Sequence, residues 1–391
     1  MKESKIDVVY VVASKLGSIG MGKASYNAIK GIDDSDLSYD VFCRGHKKDL
    51  NLNPHKLHSY GFLEWASYPF RFLEKKMGFN INPFKYINKA FGELINWNLP
   101  KSKIYHTWMR IAPKAIKKAK KNGTILILEG HNSHPLNSLN IMNSEYKKLG
   151  LNEFIQDPKE IKDEIELIKQ FDYVMCSSEF VYESFLNQGF RKEQLIKLSY
   201  GVDTNKFKPS KIKKENKKIR FIFVGSVQIR KGVHYLLQAW EELKLKDAEL
   251  LIIGREYPDV QKILKKDKKN NSIKFIGFAD LKKYYAASDV FIFPSLEEGS
   301  ALVNYEAMAC GLPLITTFNS GSIARNGKEG FIIPPGNIPI LKNKIKYFYD
   351  HPKEIERMGK NARKRVENYA WKNYGKKLTV EYKKILKNKK I

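Results

Sequence analysis

The sequence predicts an α/β protein made of two doubly wound units facing a cleft. Short apolar, β-branched or aromatic runs alternate with helical stretches through both halves. Most of these runs are continuous rather than alternating, as expected of strands covered on both faces. A lysine-rich segment without apolar periodicity, Lys208–Lys218, divides the chain near its middle. The length of 391 residues suits two domains, or three, at roughly 100–200 residues each.

In the first half, strands are expected at Ile6–Val12, Tyr39–Arg44, Lys103–Tyr105, Thr124–Glu129, Tyr173–Ser177 and Leu195–Ser199. In the second half they are expected at Ile219–Val224, Glu249–Ile253, Ile273–Ile276, Val290–Phe293, Leu314–Thr316 and Phe331–Ile333. The stretch Tyr60–Trp97 breaks the alternation, mixing aromatics such as Phe62, Trp65, Phe70, Phe79 and Trp97 with Arg71, Lys75, Lys85 and Lys89. It reads as a helical insertion whose aromatics are core, or alternatively as a membrane-interface surface.

Hydrophobic residues make up 42% and aromatics 12%, which excludes disorder as the main reading. No apolar run approaches the ~18 residues of a membrane span. The N-terminal stretch is too short and polar for a secretory signal and reads as a first strand. Cys43, Cys176 and Cys310 show no CxxC spacing, so neither zinc nor a disulfide framework is expected, and a reducing cytoplasm is. The formal charge of +28 comes from 70 Lys+Arg against 42 Asp+Glu and points to nucleic acid or an anionic membrane. Only 11 of those 70 are Arg, the residue that base-edge readout favours. The bases gather at Arg110–Lys121, at Lys211–Arg220 and in the last forty residues, where solvated helix faces are the plain alternative.

The most informative stretch is Phe293–Thr317, FPSLEEGSALVNYEAMACGLPLITT. A strand should end at Pro294-Ser295, and a helix should run from about Ser300 to Ala309, stopped by Gly311 and Pro313. Gly299 and Ser300 would leave first-turn N–H groups open, a ready anion site. Glu298 stands at that mouth. Glu306, eight residues on, would lie ~12 Å along the axis and be turned by only about 80°. Two carboxylates bracketing a diphosphate-sized gap suit a ligand with hydroxyls at both ends, as in a nucleotide-sugar.

The pattern from Glu298 to Glu306, within PS…EG…LV…EAMACGLP, resembles the E-x7-E signature of retaining glycosyltransferase family 4, the group 1 glycosyl transferases of GT-B fold. The usual Phe-Gly after Glu-Gly is Ser300-Ala301 here. The resemblance implies that Glu298 holds sugar hydroxyls, Glu306 the ribose hydroxyls, and the backbone of Gly299, Ser300, Ala301 and Leu302 the phosphates. Phe223–Ala239 (FVGSVQIRKGVHYLLQA) is similar to the family's strand–loop–helix with diphosphate-binding cations, implying that role for Arg230 and Lys231, with Ser226 where many members have Arg. By the same resemblance, backbone near Gly277-Phe278 meets the nucleobase, and the loop with Gly20, Gly22 and Lys23 approaches the donor. His131 and His134 match the family's cleft histidine, with one of the two expected beside the reacting sugar. Tyr200–Thr204 resembles the end of the first domain, and Tyr369-Ala370-Trp371 opens a helix that returns to it.

These readings place a Rossmann-like acceptor-binding domain at 1–207, a linker at 208–218, a Rossmann-like nucleotide-sugar domain at 219–368 and a returning helix at 369–391. The implied activity is retaining hexosyl transfer from a nucleotide-diphosphate sugar to an acceptor hydroxyl on a lipid-linked or cell-surface glycan. No metal and no cofactor are expected, since the only Asp-x-Asp triplet, Asp34-Ser35-Asp36, falls in a predicted turn. A glycoside hydrolase using Glu298 and Glu306, a sugar-phosphate synthase on a related fold and a basic nucleic-acid binder are the rivals. The remaining positive charge suggests a cytoplasmic protein held on the inner face of an anionic membrane, with nucleic acid a minor partner.

Overall fold

The computed structural model describes residues 6–65, 83–109, 111–151, 157–210, 218–264 and 270–388. Arg110, the linker residues 211–217, the insertion residues 66–82 with Phe70 and Phe79, and the terminal residues 389–391 lie outside the described residues.

Two parallel sheets organise the chain. The first contains β1 (Ile6–Leu16), β2 (Tyr39–His46), β3 (Leu57–Ser59), β4 (Ser102–Trp108), β5 (Ile125–Gly130), β6 (Tyr173–Cys176) and β7 (Leu195–Lys197). Among the described residues its order is β3-β2-β1-β4-β5-β6-β7. Around it lie α1 (Met21–Asp33), α2 (Phe62–Trp65), α3 (Pro83–Asn98), α4 (Pro113–Lys121), α5 (Pro135–Lys148), α6 (Pro158–Ile168) and α7 (Glu179–Leu186). The second sheet contains β8 (Ile219–Val224), β9 (Ala248–Ile253), β10 (Ile273–Ile276), β11 (Val290–Phe293), β12 (Leu314–Thr317) and β13 (Gly330–Ile333), in the order β10-β9-β8-β11-β12-β13. Its helices are α8 (Val233–Leu243), α9 (Pro258–Leu264), α10 (Leu281–Ala286), α11 (Leu302–Ala309), α12 (Ile338–Asp350) and α13 (Pro352–Val366). Finally α14 (Trp371–Asn388) leaves the second unit and packs on α1 of the first.

The continuous apolar runs behave as strands covered on both faces. Val8–Val12 in β1 and Phe221–Phe223 in β8 are fully buried, and each lies next to a reversal of strand order. Those reversals, between β1 and β4 and between β8 and β11, are where doubly wound sheets open a crevice at their carboxyl ends. β3 was not expected from sequence. It is a three-residue edge strand, Leu-His-Ser, half exposed and without an apolar run. The return of α14 is fixed by main chain and by a buried polar contact. Val202 N donates to Tyr369 O at 2.9 Å, and the Tyr382 hydroxyl lies 2.5 Å from His106 Nδ1.

Candidate active site

A cavity of about 710 Å³ lies between the two carboxyl edges and draws its walls from both units. From the first come the loop Gly17–Met21, Lys23, Trp108, His131 and Tyr200; from the second come Gly225, Ser226, Arg230, Lys231, Glu298, Ser300–Val303 and Glu306. The loops after β1, β5, β8 and β11 thus converge on one space, which the topology dictates.

The centre of the second unit's wall is an ion-paired group. Arg230 and Lys231 close a 3₁₀ turn, Ile229–Lys231, that feeds α8 through Gly232. Arg230 Nη1 donates to the Glu297 carbonyl at 2.9 Å, to Glu297 Oε2 at 3.1 Å and to Glu298 Oε1 at 3.4 Å. Lys231, buried, pairs with Glu298 Oε2. Burial, aided by the adjacent Arg230, pulls the Lys231 ammonium below the ordinary lysine range, and Glu297 opposes that shift. Across the cavity, Lys23 Nζ reaches Glu306 Oε1 at 3.1 Å. Burial raises the Glu306 carboxyl above the usual carboxylate range, against the pull of Lys23.

The start of α11 differs from expectation. The helix begins at Leu302 with Ala301 as its cap, so Glu298 lies in a loop and the helical rise from Glu298 to Glu306 does not apply. The cause is local. Ala301 is extended (φ −68°, ψ 110°), and Ser300 Oγ turns to the Tyr305 hydroxyl at 2.9 Å instead of capping. The cap offers no side-chain acceptor, and Leu302 and Val303 open the helix at the cavity wall.

Gly299 is packed behind the wall instead of lining it. A Cβ there would sit 1.5 Å from the His131 carbonyl oxygen, so only glycine lets the two units approach this closely. Gly20, at φ +69°, lines the cavity, whereas Gly22 faces inward, where a Cβ would meet Lys15 O and Ser18 Oγ at 2.2 Å. Gly277 and Phe278 do not line the cavity; Phe278 is largely exposed, and the wall is formed by the next residues, Ala279–Lys282.

The two histidines separate. His131 lines the cavity, 5.0 Å between ring centroids from Trp108, and burial lowers its pKa, favouring neutral imidazole. His134 lies outside the cavity. It caps α5, its Nδ1 accepting from Leu136 N at 3.3 Å, and its ring packs 5.2 Å from that of Phe185. Burial depresses it to about 4. Of the two candidates, the structure brings His131 to the cavity and leaves His134 outside it. His134 stands just before a proline at the first helical position, where a cap belongs.

Sequence reasoning passed over Glu297. It is buried, binds Arg230, and accepts from Ser133 Oγ of the first unit at 2.9 Å. The doublet Glu297-Glu298 was its visible signal. A second cavity of about 380 Å³ shares Met21, His131 and Asn132 with the first and is lined also by Arg44, Asn88, Ser138 and Glu164. The buried Glu129 accepts from the Tyr200 hydroxyl at 3.0 Å and lies 3.1 Å from His106 Nε2. Among the described residues no group of three His, Cys, Asp or Glu is placed to hold a metal ion.

Comparison with known proteins extends this geometry. Residues 204–365 match the family described as Glycosyl transferases group 1. The chain is 29% identical over 215 residues to the capsular polysaccharide biosynthesis glycosyltransferase CapM of Staphylococcus aureus, covering 50% of this chain and 57% of CapM. Over the first curated relatives the match spans 49% to 64% of their length. The fold is similar to that of sucrose-phosphate synthase from Thermosynechococcus elongatus, with TM-score 0.68 and 18% identity over 98% of this chain and 100% of that one. It is also similar to Anabaena HepE in complex with UDP-glucose, with TM-score 0.66 and 16% identity over 97% of this chain and 100% of that one. The stretch that matches the glycosyl transferases group 1, residues 204–365, holds Arg230, Lys231, Glu298 and Glu306, and the two-sheet architecture is that of the GT-B fold.

Proposed function

We propose that the protein transfers a hexosyl group from a nucleotide-diphosphate sugar to a hydroxyl of a saccharide acceptor, lipid-linked or on a cell-surface glycan, with retention and without a metal ion. One observation carries the reading. Arg230 and Lys231 are paired with Glu298 in the wall of a cavity that an uncapped helix start and Lys23–Glu306 also face, with Glu297 holding Arg230 from behind.

A diphosphate entering there replaces carboxylate as the counter-ion of Arg230 and Lys231. Glu298, released from Lys231, accepts hydrogen bonds from sugar hydroxyls, and Glu306 takes the ribose hydroxyls at the other end. When the bond from the anomeric carbon to the phosphate oxygen breaks, charge grows on the leaving diphosphate. Two fixed cations and the α11 amides stabilise that charge in place of a metal. The acceptor oxygen bonds the same face of the anomeric carbon, and its proton passes to the departing phosphate oxygen. Neutral His131 stands between the two cavities, able to hydrogen-bond the sugar while the acceptor occupies the second cavity. The name of CapM, a capsular polysaccharide glycosyltransferase, and the UDP-glucose held by HepE support a saccharide acceptor and a nucleotide-sugar donor.

A thermal-shift panel of uridine, guanosine and adenosine diphosphate sugars in EDTA tests the reading. One donor should stabilise the protein, Glu298→Ala and Lys231→Ala should abolish that shift, and product NMR should show the donor's anomeric configuration. A shift that survives both substitutions, or disappears with EDTA, overturns it.

A further inference from the structure

The exposed apolar surface is unevenly placed. Among the described residues, Ile19, Met21, Phe62, Trp65, Tyr86 and Trp97 are large apolar side chains left in solvent on the first unit. Ile19 and Met21 belong to the loop and helix start beside the cavity, and the rest to α2 and α3. Helix α3 already buries Ile87, Phe91, Ile95 and Leu99 at its inner face and end. Tyr86 and Trp97 lie on its other stripe, 64% and 71% exposed, about three turns apart. Core packing does not require them to be aromatic.

Helix α4 lies alongside. Its Ala115, Ile116 and Ala119 face inward, while Lys114, Lys117, Lys120 and Lys121 face solvent, with no acid or arginine in the helix. Two bonds join α4 to α3: Lys114 Nζ to Glu93 Oε1 at 2.8 Å, beside the exposed stripe, and the half-buried Lys118 Nζ to Asn96 O at 2.7 Å. Amphipathic rings bordered by long-stemmed lysines match the headgroup layer of an anionic bilayer, where aromatic rings settle and lysines meet lipid charge. An arginine-free lysine face is poorly suited to reading base edges. Helix α3 also forms a wall of the second cavity through Asn88, whose Oδ1 accepts from Arg44 Nη1 at 3.0 Å.

We propose that the α3–α4 face docks on an anionic lipid bilayer, with Tyr86 and Trp97 entering the headgroup layer and the α4 lysines supplying the attraction. Docked this way, the protein keeps its first unit, whose second cavity is lined by Asn88 and His131, close to the membrane that would carry a lipid-borne saccharide. That consequence rests on the transferase reading; the lipid binding does not, and its test uses no turnover.

The full chain is sedimented with vesicles of phosphatidylcholine alone and of phosphatidylcholine with roughly one third phosphatidylglycerol. Binding should require phosphatidylglycerol and weaken as salt rises. Lys117→Glu with Lys121→Glu should lower it at least about 30-fold, at about 1 kcal/mol per lysine. Tyr86→Ala with Trp97→Ala should lower it at every salt concentration and reduce the lipid-induced blue shift of tryptophan fluorescence. All four positions are exposed, so unchanged circular dichroism and melting temperature confirm folded variants. Lys372→Glu with Lys376→Glu on α14 is the control and should leave most binding intact. Equal binding to both vesicles, no binding to either, or equal loss from the α14 pair overturns the proposal. So does tight binding of polyuridylate, lost in the α4 variant, with no lipid binding.

Discussion

Among the described residues, the two units meet along two fronts of different chemistry. At the cavity, Lys23 Nζ meets Glu306 Oε1 at 3.1 Å, Ser133 Oγ donates to Glu297 Oε1 at 2.9 Å, and Ser178 Oγ donates to the Gly299 carbonyl at 2.5 Å. Away from it, Glu145 of α5 engages α8: Oε1 lies 2.8 Å from His234 Nε2, and Oε2 accepts from the Tyr235 hydroxyl at 2.8 Å. Lys148 Nζ donates to that same hydroxyl at 2.7 Å, and Tyr146 donates to Asp259 Oδ2 at 3.1 Å. In the first front Lys23 and Glu306 line the cavity, where on the transferase reading the donor's hydroxyls and diphosphate compete for them. None of the outer residues lines either cavity. A ligand therefore disturbs the first front and spares the second, so the outer clasp keeps the units in register while the cavity exchanges partners.

The largest expected effect breaks the cavity side alone. Lys231→Ala or Glu298→Ala should lower kcat/KM with the stabilising nucleotide-sugar by roughly 10³-fold, the loss seen when one charge-stabilising group leaves a water-excluded site. Glu145→Ala should leave kcat within about threefold while raising KM, since it loosens the docking of two halves that still carry their groups. Steady-state release of nucleoside diphosphate measures both. Comparable kcat losses from the two would erase the distinction between the fronts.

Legibility in the sequence follows the same division. Arg230, Lys231, Glu298 and Glu306 were readable because each is anchored locally, by a strand end, a glycine turn or a helix with its own stop signals. The Ser133–Glu297 and Glu145–His234 bonds join residues 164 and 89 positions apart, and they exist only once the units dock. His131 and His134 could not be told apart because a histidine after a strand looks the same whether it faces a cavity or caps a helix. The Pro135 that follows was the distinguishing mark. β3 escaped because an exposed edge of three residues carries no hydrophobic pattern. The fold itself was nearly all visible, since strands buried on both faces leave continuous apolar runs.

A second effect reaches the outer clasp through its own helix. His134 caps α5, which carries Glu145, Tyr146 and Lys148, and the cap needs Nδ1 unprotonated to accept from Leu136 N. Its pKa is about 4 in the folded protein against an ordinary 6.5. The unfolded chain thus binds a proton at higher pH than the native one. The stabilisation is complete above about pH 6.5 and is lost as pH falls towards 4, amounting to roughly 3 kcal/mol. In His134→Asn, which can cap without titrating, urea unfolding should lose that part of its pH dependence. A profile matching the parent's would place the acid sensitivity elsewhere.

The clasp can also be opened directly. Glu145→Ala leaves the buried Tyr235 hydroxyl and His234 ring without their carboxylate, at a cost of about 1–3 kcal/mol. Burial alone would raise the Glu145 carboxyl, but His234 and Tyr235 outweigh it and hold the group below its ordinary range. Its stabilisation is present above about pH 4.5 and is lost as pH falls through the lower folded value. Denaturant melts of the variant should therefore converge on the parent at acid pH. A constant gap down to acid would assign the loss to packing.

The smallest effect has the opposite sign and sharpens the contrast most. Burial raises Glu306 above the ordinary carboxylate range even with Lys23 beside it, so keeping it ionised at neutral pH costs stability. That cost is absent below the unfolded value and grows as pH rises through the folded one. The Lys23 pair offsets little, since Lys23 is partly in solvent and such pairs contribute about 1 kcal/mol at most. Glu306→Gln, which keeps the shape without the charge, should leave the free protein equally stable or raise its melting temperature by about 1–3 °C. The same variant should show a smaller shift with nucleotide-sugar, because an amide is a weaker acceptor for ribose hydroxyls than a carboxylate. Thermal scans with and without donor give both quantities from one sample. A lower melting temperature without donor would mean that the Lys23–Glu306 pair serves docking as Glu145 does, and the cavity front would then have no function of its own.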